Sequence, residues 1–250
     1  MALDAEGGGP GGHGPVPCYV AVLNNGAGAG ILNHVSNGGA NILVIGGGKS
    51  ATDDVTRFWD AIDAALPGTT VTYVNGKANI LAQSFAGFAM LAIVSDVLSV
   101  ASGGLTNDEN DGLAERAIDV ANFVNGGGGL LAFSANNLLR PYAYLGVAGA
   151  FSFGSPAPFQ AITPTQSGLA IGVTTDLGPC GWQDEFGTMP NFLNVLATNE
   201  VTGNPCAVGG IDVLIVSIVV TPFTATTCIG QTHTATATIF DGFGVPQVGV

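Results

Sequence analysis

The stretch Ile42-Leu43-Val44-Ile45-Gly46-Gly47-Gly48-Lys49-Ser50 decides the fold. Four consecutive apolar residues, two of them isoleucine and one valine, form the run expected of a parallel strand buried on both faces. The glycine triplet ends it. Ser50 with Asp53 has the spacing of a helix-capping box, and Val55, Phe58, Trp59, Ile62 and Leu66 then recur at 0, 3, 4, 7 and 11, one apolar helix face stopped by Pro67-Gly68. Thr70–Val74 reads as a second strand of β-branched and aromatic residues.

Outward from this unit the rhythm repeats. Ile80–Phe88 is expected to be a short helix and Met90–Val94 a third strand. Thr106 and Glu109 form a second capping box, opening a helix that places Leu113, Ala117, Val120, Ala121 and Val124 on one face. Gly126–Gly129 ends that helix, and Leu130–Phe133 is the fourth strand. Strands alternating with helices, joined by right-handed crossovers, predict an α/β domain: a three-layer, doubly wound parallel sheet over residues 41–210. Leu193–Ala197 and Ala207-Val208 are candidate additional strands. Residues 1–40 read as a Gly/Pro-rich leader, flexible over 1–17, with a short strand at Cys18–Leu23. Ile211–Pro222 and His233–Phe240 are strand-like, so residues 211–250 read as a separate all-β segment.

Composition narrows the function. The 250 residues include 18 acids and 5 bases, a net charge of −13, with only 9% charged residues and 39 glycines. Five cations cannot build a phosphate-tracking surface, which excludes nucleic-acid binding. All five (Lys49, Arg57, Lys77, Arg116, Arg140) lie between residues 49 and 140, and the stretch from Pro141 to Thr175 carries no charge. The apolar run Val213–Val220 is shorter than the roughly 20 residues a membrane helix needs. Residues 1–17 show no signal-peptide pattern, so the chain is either cytoplasmic or an internal or mature piece of an exported protein. A sparse, mostly negative surface with much Ser, Thr, Asn and Gly suits an extracellular or cell-surface setting.

The four cysteines form no CxxC and no histidine adjoins them, so no metal site and no cofactor are expected. Of the three pairings, Cys180–Cys206 is favoured because both sit in Gly/Pro turns (GPCGW, NPCAV); four unpaired thiols are the alternative, and Cys18 and Cys228 stay unassigned. The glycine turn matches Walker A only at Gly48-Lys49-Ser50, with Leu43 where the first glycine belongs. It matches GxGxxG/A at Gly46, Gly48 and Ala51, but no acid closes the second strand at Val74-Asn75-Gly76. The turn thus reads as a tight strand-to-helix connection, with Gly46, Gly47, Gly48 and Lys49 as candidate ligand-binding residues for an anion. Thr106–Gly112 has calcium-loop composition without the spacing, and a capped helix start explains its acids. Candidate catalytic residues are Ser134, just past the fourth strand, and the pair Asp184 and Glu185. Residues 41–210 contain no histidine to activate a serine.

On the segments ILVIGGGK and GGLTNDENDGLAERAIDVANFVNGGGGLLAFS, with Ile162–Leu169 and Asp184-Glu185-Phe186, residues 41–210 resemble the class I glutamine amidotransferase-like superfamily, in particular its trehalose-utilisation-protein-like branch. The resemblance implies a flavodoxin-like fold. Ser134 stands where the amidotransferases carry cysteine, Thr163 where the branch tends to have histidine, and no His-x-Glu follows, so amidotransfer is not implied. Gly230–Thr238 and Asp241–Pro246 resemble the start of a bacterial immunoglobulin-like domain of the invasin/intimin type. This implies an adhesion or stalk module that continues past Val250, since about 40 residues are present of a fold of about 100. The expected function is a non-catalytic binding or structural module of a secreted or cell-surface multidomain bacterial protein. Its partner would be an extracellular protein, a carbohydrate or neighbouring copies of itself. The alternative is a hydrolase or carbohydrate-active enzyme at the C-terminal edge of the sheet.

Overall fold

The computed structural model describes residues 6–11, 16–24, 26, 28–96, 103–133, 138–145, 152–154, 161–177, 184–189, 193–210, 215–221, 236–241 and 246–247. The chain divides into two compact units, Met1–Ile211 and Asp212–Val250.

The first unit runs α1 (Val16–Leu23), β1 (Asn41–Ile45), α2 (Asp54–Ala65), β2 (Val71–Val74), α3 (Lys77–Ala82), β3 (Phe88–Ile93), α4 (Asn107–Ala114), α5 (Ala117–Asn125) and β4 (Gly129–Ala132). It continues through β5 (Ser152–Gly154), β6 (Ile162–Pro164), α6 (Gln166–Ala170), β7 (Glu185–Thr188), β8 (Asn194–Asn199) and β9 (Pro205–Gly209). Strands β1 to β4 form one parallel sheet in the order β2-β1-β3-β4. The domain is therefore α/β, as the alternating pattern predicts. Ile42, Leu43, Val44 and Ile45 are fully buried, each contributing about 1.5–3 kcal/mol of burial free energy. The all-apolar run is what a strand with a neighbour on each side requires.

Helix α2 buries Val55, Phe58, Trp59 and Ile62, the apolar face read from the spacing. Its cap lies three residues later than the capping-box expectation: Asp53, not Ser50, is the N-cap, its side chain accepting from Thr56 N. Ser50 instead donates its own backbone N–H to Asp53 Oδ2 at 2.7 Å. The Thr106–Glu109 box is fully formed, and the helix that follows breaks in two at Glu115-Arg116.

Two expectations for the N-terminal residues are corrected. Residues 18–23 are helical rather than a strand: Tyr19, Val22 and Leu23 are buried, and Tyr19 packs edge-on against Phe58 and Phe133. The preceding leader is not simply solvated, because Glu6 is fully buried within the unit.

Beyond β4 the unit becomes antiparallel, with the three-stranded sheet β6-β8-β9 and the pair β5-β7. The candidate strands at 193–197 and 207–208 correspond to β8 and β9; β5, β6 and β7 carry no strand-length pattern in the sequence. The second unit contains β10 (Ile215–Thr221), β11 (Thr236–Asp241) and β12 (Pro246–Gln247) in one antiparallel sheet of that order.

Candidate functional site

In the order β2-β1-β3-β4 the chain reverses its direction of travel across the sheet between β1 and β3. Open α/β sheets place ligands at the carboxyl ends of the strands beside such a reversal. Here that edge is formed by the loop after β1 (Gly46–Ser50), the loop after β2 (Asn75-Gly76), and, among the described residues that follow β3, Val94–Asp96 and Gly103–Thr106.

One carboxylate ties the three together. Glu109 Oε1 accepts from Gly76 N at 2.8 Å, and Glu109 Oε2 accepts from Lys49 Nζ at 2.7 Å, Thr106 N at 2.9 Å and Thr106 Oγ1 at 2.9 Å. Its side chain is 4% exposed. Burial alone pushes a carboxyl up, but the Gly76 and Thr106 N–H groups and the Lys49 ammonium outweigh it and hold Glu109 below the ordinary glutamate range. Lys49 also donates to Gly104 O. The candidate anion-binding lysine is thus turned onto a glutamate and a carbonyl. Gly48 N donates to Thr56 Oγ1 at 3.1 Å and Gly46 N to Val74 O at 2.8 Å, so two amides of the glycine turn are committed to the fold. The turn needs its glycines for space and backbone: Gly48 has φ +72, and a Cβ there would lie 2.4 Å from Tyr73 Cβ.

Two further buried acids complete the edge. Asp53 Oδ1 accepts from Thr56 N at 2.6 Å, and Gly103 packs so closely that a Cβ on it would lie 2.3 Å from Asp53 Oδ1. Asp96 is fully buried and bridges to Leu105. Besides these, an open hollow of about 390 Å³ lies at the outer end of β2, lined by Tyr73, Val74, Asn75, Asn79, Ala82 and Gln83. Its polar groups include three neutral carboxamides. The Tyr73 hydroxyl is pushed far above the usual phenol range by burial and by its hydrogen bond to Asp60.

Of the expected catalytic candidates, only Asp184 and Glu185 are among the described residues. Ser134 lies outside the described residues; Phe133 before it is fully buried. Glu185 accepts from Thr202 Oγ1 at 2.5 Å and Asn204 Nδ2 at 2.7 Å, bracing the β8–β9 turn. Asp184 is buried beside it. Of the histidines, only His34 is described, exposed at the end of a 3-10 turn. Cys206 is a free, buried thiol whose Sγ donates to Ala197 O at 3.5 Å, not half of the expected Cys180–Cys206 bridge; Cys180 lies outside the described residues. Burial pushes the Cys206 thiol up to about 12 and raises the Cys18 thiol as well. Among the described residues no three His, Cys, Asp or Glu side chains are grouped to hold a metal ion, and no helix is long and apolar enough to cross a membrane.

Sequence reasoning missed Glu6. Its Oε1 accepts from Trp59 Nε1 at 2.7 Å and its Oε2 from Ser95 N at 2.8 Å, across 53 and 89 residues of chain. A lone glutamate before a glycine run carries no local signal of this, because both donors are distant in sequence. No family model, characterised protein or solved structure matches the chain.

Proposed function

We propose that this chain is a non-catalytic binding or structural module of a secreted or cell-surface multidomain protein. The observation that carries the reading is the commitment of Glu109: the two oxygens of this carboxylate, at the ligand-bearing edge of the sheet, accept hydrogen bonds from three separate loops. A general base needs a lone pair aimed at a substrate, and a carboxylate held below its ordinary pKa by the Gly76 and Thr106 N–H groups and the Lys49 ammonium is a poor proton acceptor. Both oxygens of Glu185 also accept hydrogen bonds, from Thr202 and Asn204.

Under this reading the first unit is a flavodoxin-like, three-layer domain of the amidotransferase-like kind. The sheet order supports it: the β1-to-β2 and β2-to-β3 connections run in opposite directions across the sheet, and right-handed crossovers of opposite direction put their helices on opposite faces. The second unit is the beginning of an immunoglobulin-like module, a reading supported by its antiparallel β10-β11-β12 sheet. The partner is an extracellular protein or carbohydrate, and the carboxamide-lined hollow suits a neutral polyol better than an ion.

The test is a panel of activated esters, glutamine and glycosides on the wild type and on Ser134→Ala. No turnover above background is expected from either. Turnover that disappears in Ser134→Ala would overturn the reading in favour of a hydrolase at the C-terminal edge.

A further inference from the structure

Glu6 is fully buried, yet it belongs to a segment of glycine and proline with little apolar surface of its own to anchor it. Two well-formed hydrogen bonds hold its carboxylate: the indole N–H of Trp59, itself fully buried, and the backbone N–H of Ser95, also fully buried, just past the end of β3. Each donor is also held from outside the leader. Trp59 is fixed by the α2 face, packed against Phe58 and Phe133. Ser95 follows Val94, whose N–H donates to Ile45 O at the end of β1. An indole and an amide N–H converging on two oxygens of one carboxylate form a preorganised anion receptor in a buried setting, where charge-assisted hydrogen bonds are strongest. It sits at the strand end beside the sheet's order reversal, the position that open α/β sheets use for ligands.

We infer that Trp59 Nε1 and Ser95 N form a carboxylate-binding site that Glu6 occupies in cis, and that a short aliphatic carboxylate takes the same seat when Glu6 is absent. This inference does not depend on the module being non-catalytic or exported. In the wild type, the tether keeps the local carboxylate concentration high, on the order of millimolar or more, so free carboxylates compete poorly. The glutamate side chain beyond Cβ is an acetate-sized fragment, which sets the ligand's size.

The experiment uses the full chain as Glu6→Ala. Its thermal midpoint is followed in sodium acetate, sodium butyrate and sodium chloride at equal ionic strength. Acetate is expected to raise the midpoint of Glu6→Ala saturably relative to chloride, butyrate to do so less, and the wild type to respond to neither. In Glu6→Ala/Trp59→Phe, which keeps an aromatic ring but removes the indole N–H, acetate affinity should fall by about tenfold or more. If Glu6→Ala is unfolded in chloride, the readout becomes recovery of tryptophan emission on adding acetate. An acetate response no different from chloride, or one equal in the double variant, overturns the proposal.

Discussion

At the scale of the residue, the side chain that organises the sheet's edge is Glu109. Its folded-state pKa is lowered, so the stability it contributes is fully present above the unfolded glutamate value of about 4.3 and is lost as pH falls through the folded value. Glu109→Gln keeps the shape but removes the charge facing Lys49, and it cannot accept at all four donors. The expected cost at neutral pH is about 3 kcal/mol, as for breaking a mostly buried pair from one side. The cost should shrink at an acid pH below the unfolded value of about 4.3, as the wild-type carboxylate takes up its proton. Urea unfolding at both pH values checks this; an equal cost at both would show that the charge plays no part. The local half of this arrangement is legible in the sequence, because Thr-x-x-Glu announces a capping box. The Lys49 and Gly76 partners, 60 and 33 residues away, are not, since no local pattern encodes which loop ends the sheet will bring together. Cys206 gives a second prediction. With its thiol buried and pushed up to about 12, it should resist alkylation at neutral pH in the native protein and react only on unfolding. Rapid native labelling would show that β9 opens. A Cys180–Cys206 disulfide recovered from a non-reducing digest of oxidised protein would show that the chain can rearrange to form it.

At the scale of the element, legibility follows period and length. The α2 face is readable because five large apolar residues keep helical spacing over twelve positions, and Trp59 is indeed fully buried. Trp59→Ala should cost roughly 3–5 kcal/mol, a large-to-small core change to which the loss of a hydrogen-bond donor to the buried Glu6 carboxylate adds. A loss under 1 kcal/mol in chemical denaturation would mean that the α2 face does not pack in the core. Helix α1 is not readable, because Cys-Tyr-Val-Ala-Val-Leu has strand-like propensity and six residues are too few for the period to speak. Packing of Tyr19, Val22 and Leu23 at i, i+3 and i+4 overrides that preference. The glycine turn after β1 is legible as a tight connection, but the reason is steric and lies elsewhere in the chain: Tyr73 of β2 fills the space beside Gly48. Gly48→Ala combines a left-handed backbone with overpacking against Tyr73, so it should destabilise by about 2–4 kcal/mol. A neutral result by the same denaturation assay would show that Tyr73 can move aside.

At the scale of the whole molecule, the question is which electrostatic effect wins, repulsion among excess acids or attraction within ion pairs. Each of the five cations is paired: Lys49 with Glu109, Arg57 with Asp54, Lys77 with Glu115, Arg116 with Asp119 and Arg140 with Asp111. The net charge of −13 is therefore carried by 18 − 5 = 13 acids beyond those pairs. In four of the pairs at least one partner is more than half exposed, and such an ion pair contributes about 0–1 kcal/mol and is readily screened. The fifth, Lys49–Glu109, is mostly buried and is screened far less. Added salt thus removes a small attraction from four pairs while it weakens a repulsion spread over every acid in the folded state, which the expanded unfolded chain feels less. Repulsion outweighs the surface attraction, so stability should rise with salt. Going from about 0.01 M to about 0.5 M, where the Debye length shrinks from about 30 Å to under 10 Å, should stabilise by about 1 kcal/mol and raise Tm by about 2–4 °C. Scanning calorimetry in sodium chloride and in tetramethylammonium chloride checks this. Equal rises in both salts are expected of screening, a rise in sodium alone would reveal specific cation binding, and a fall in both would mean that the surface pairs outweigh the repulsion.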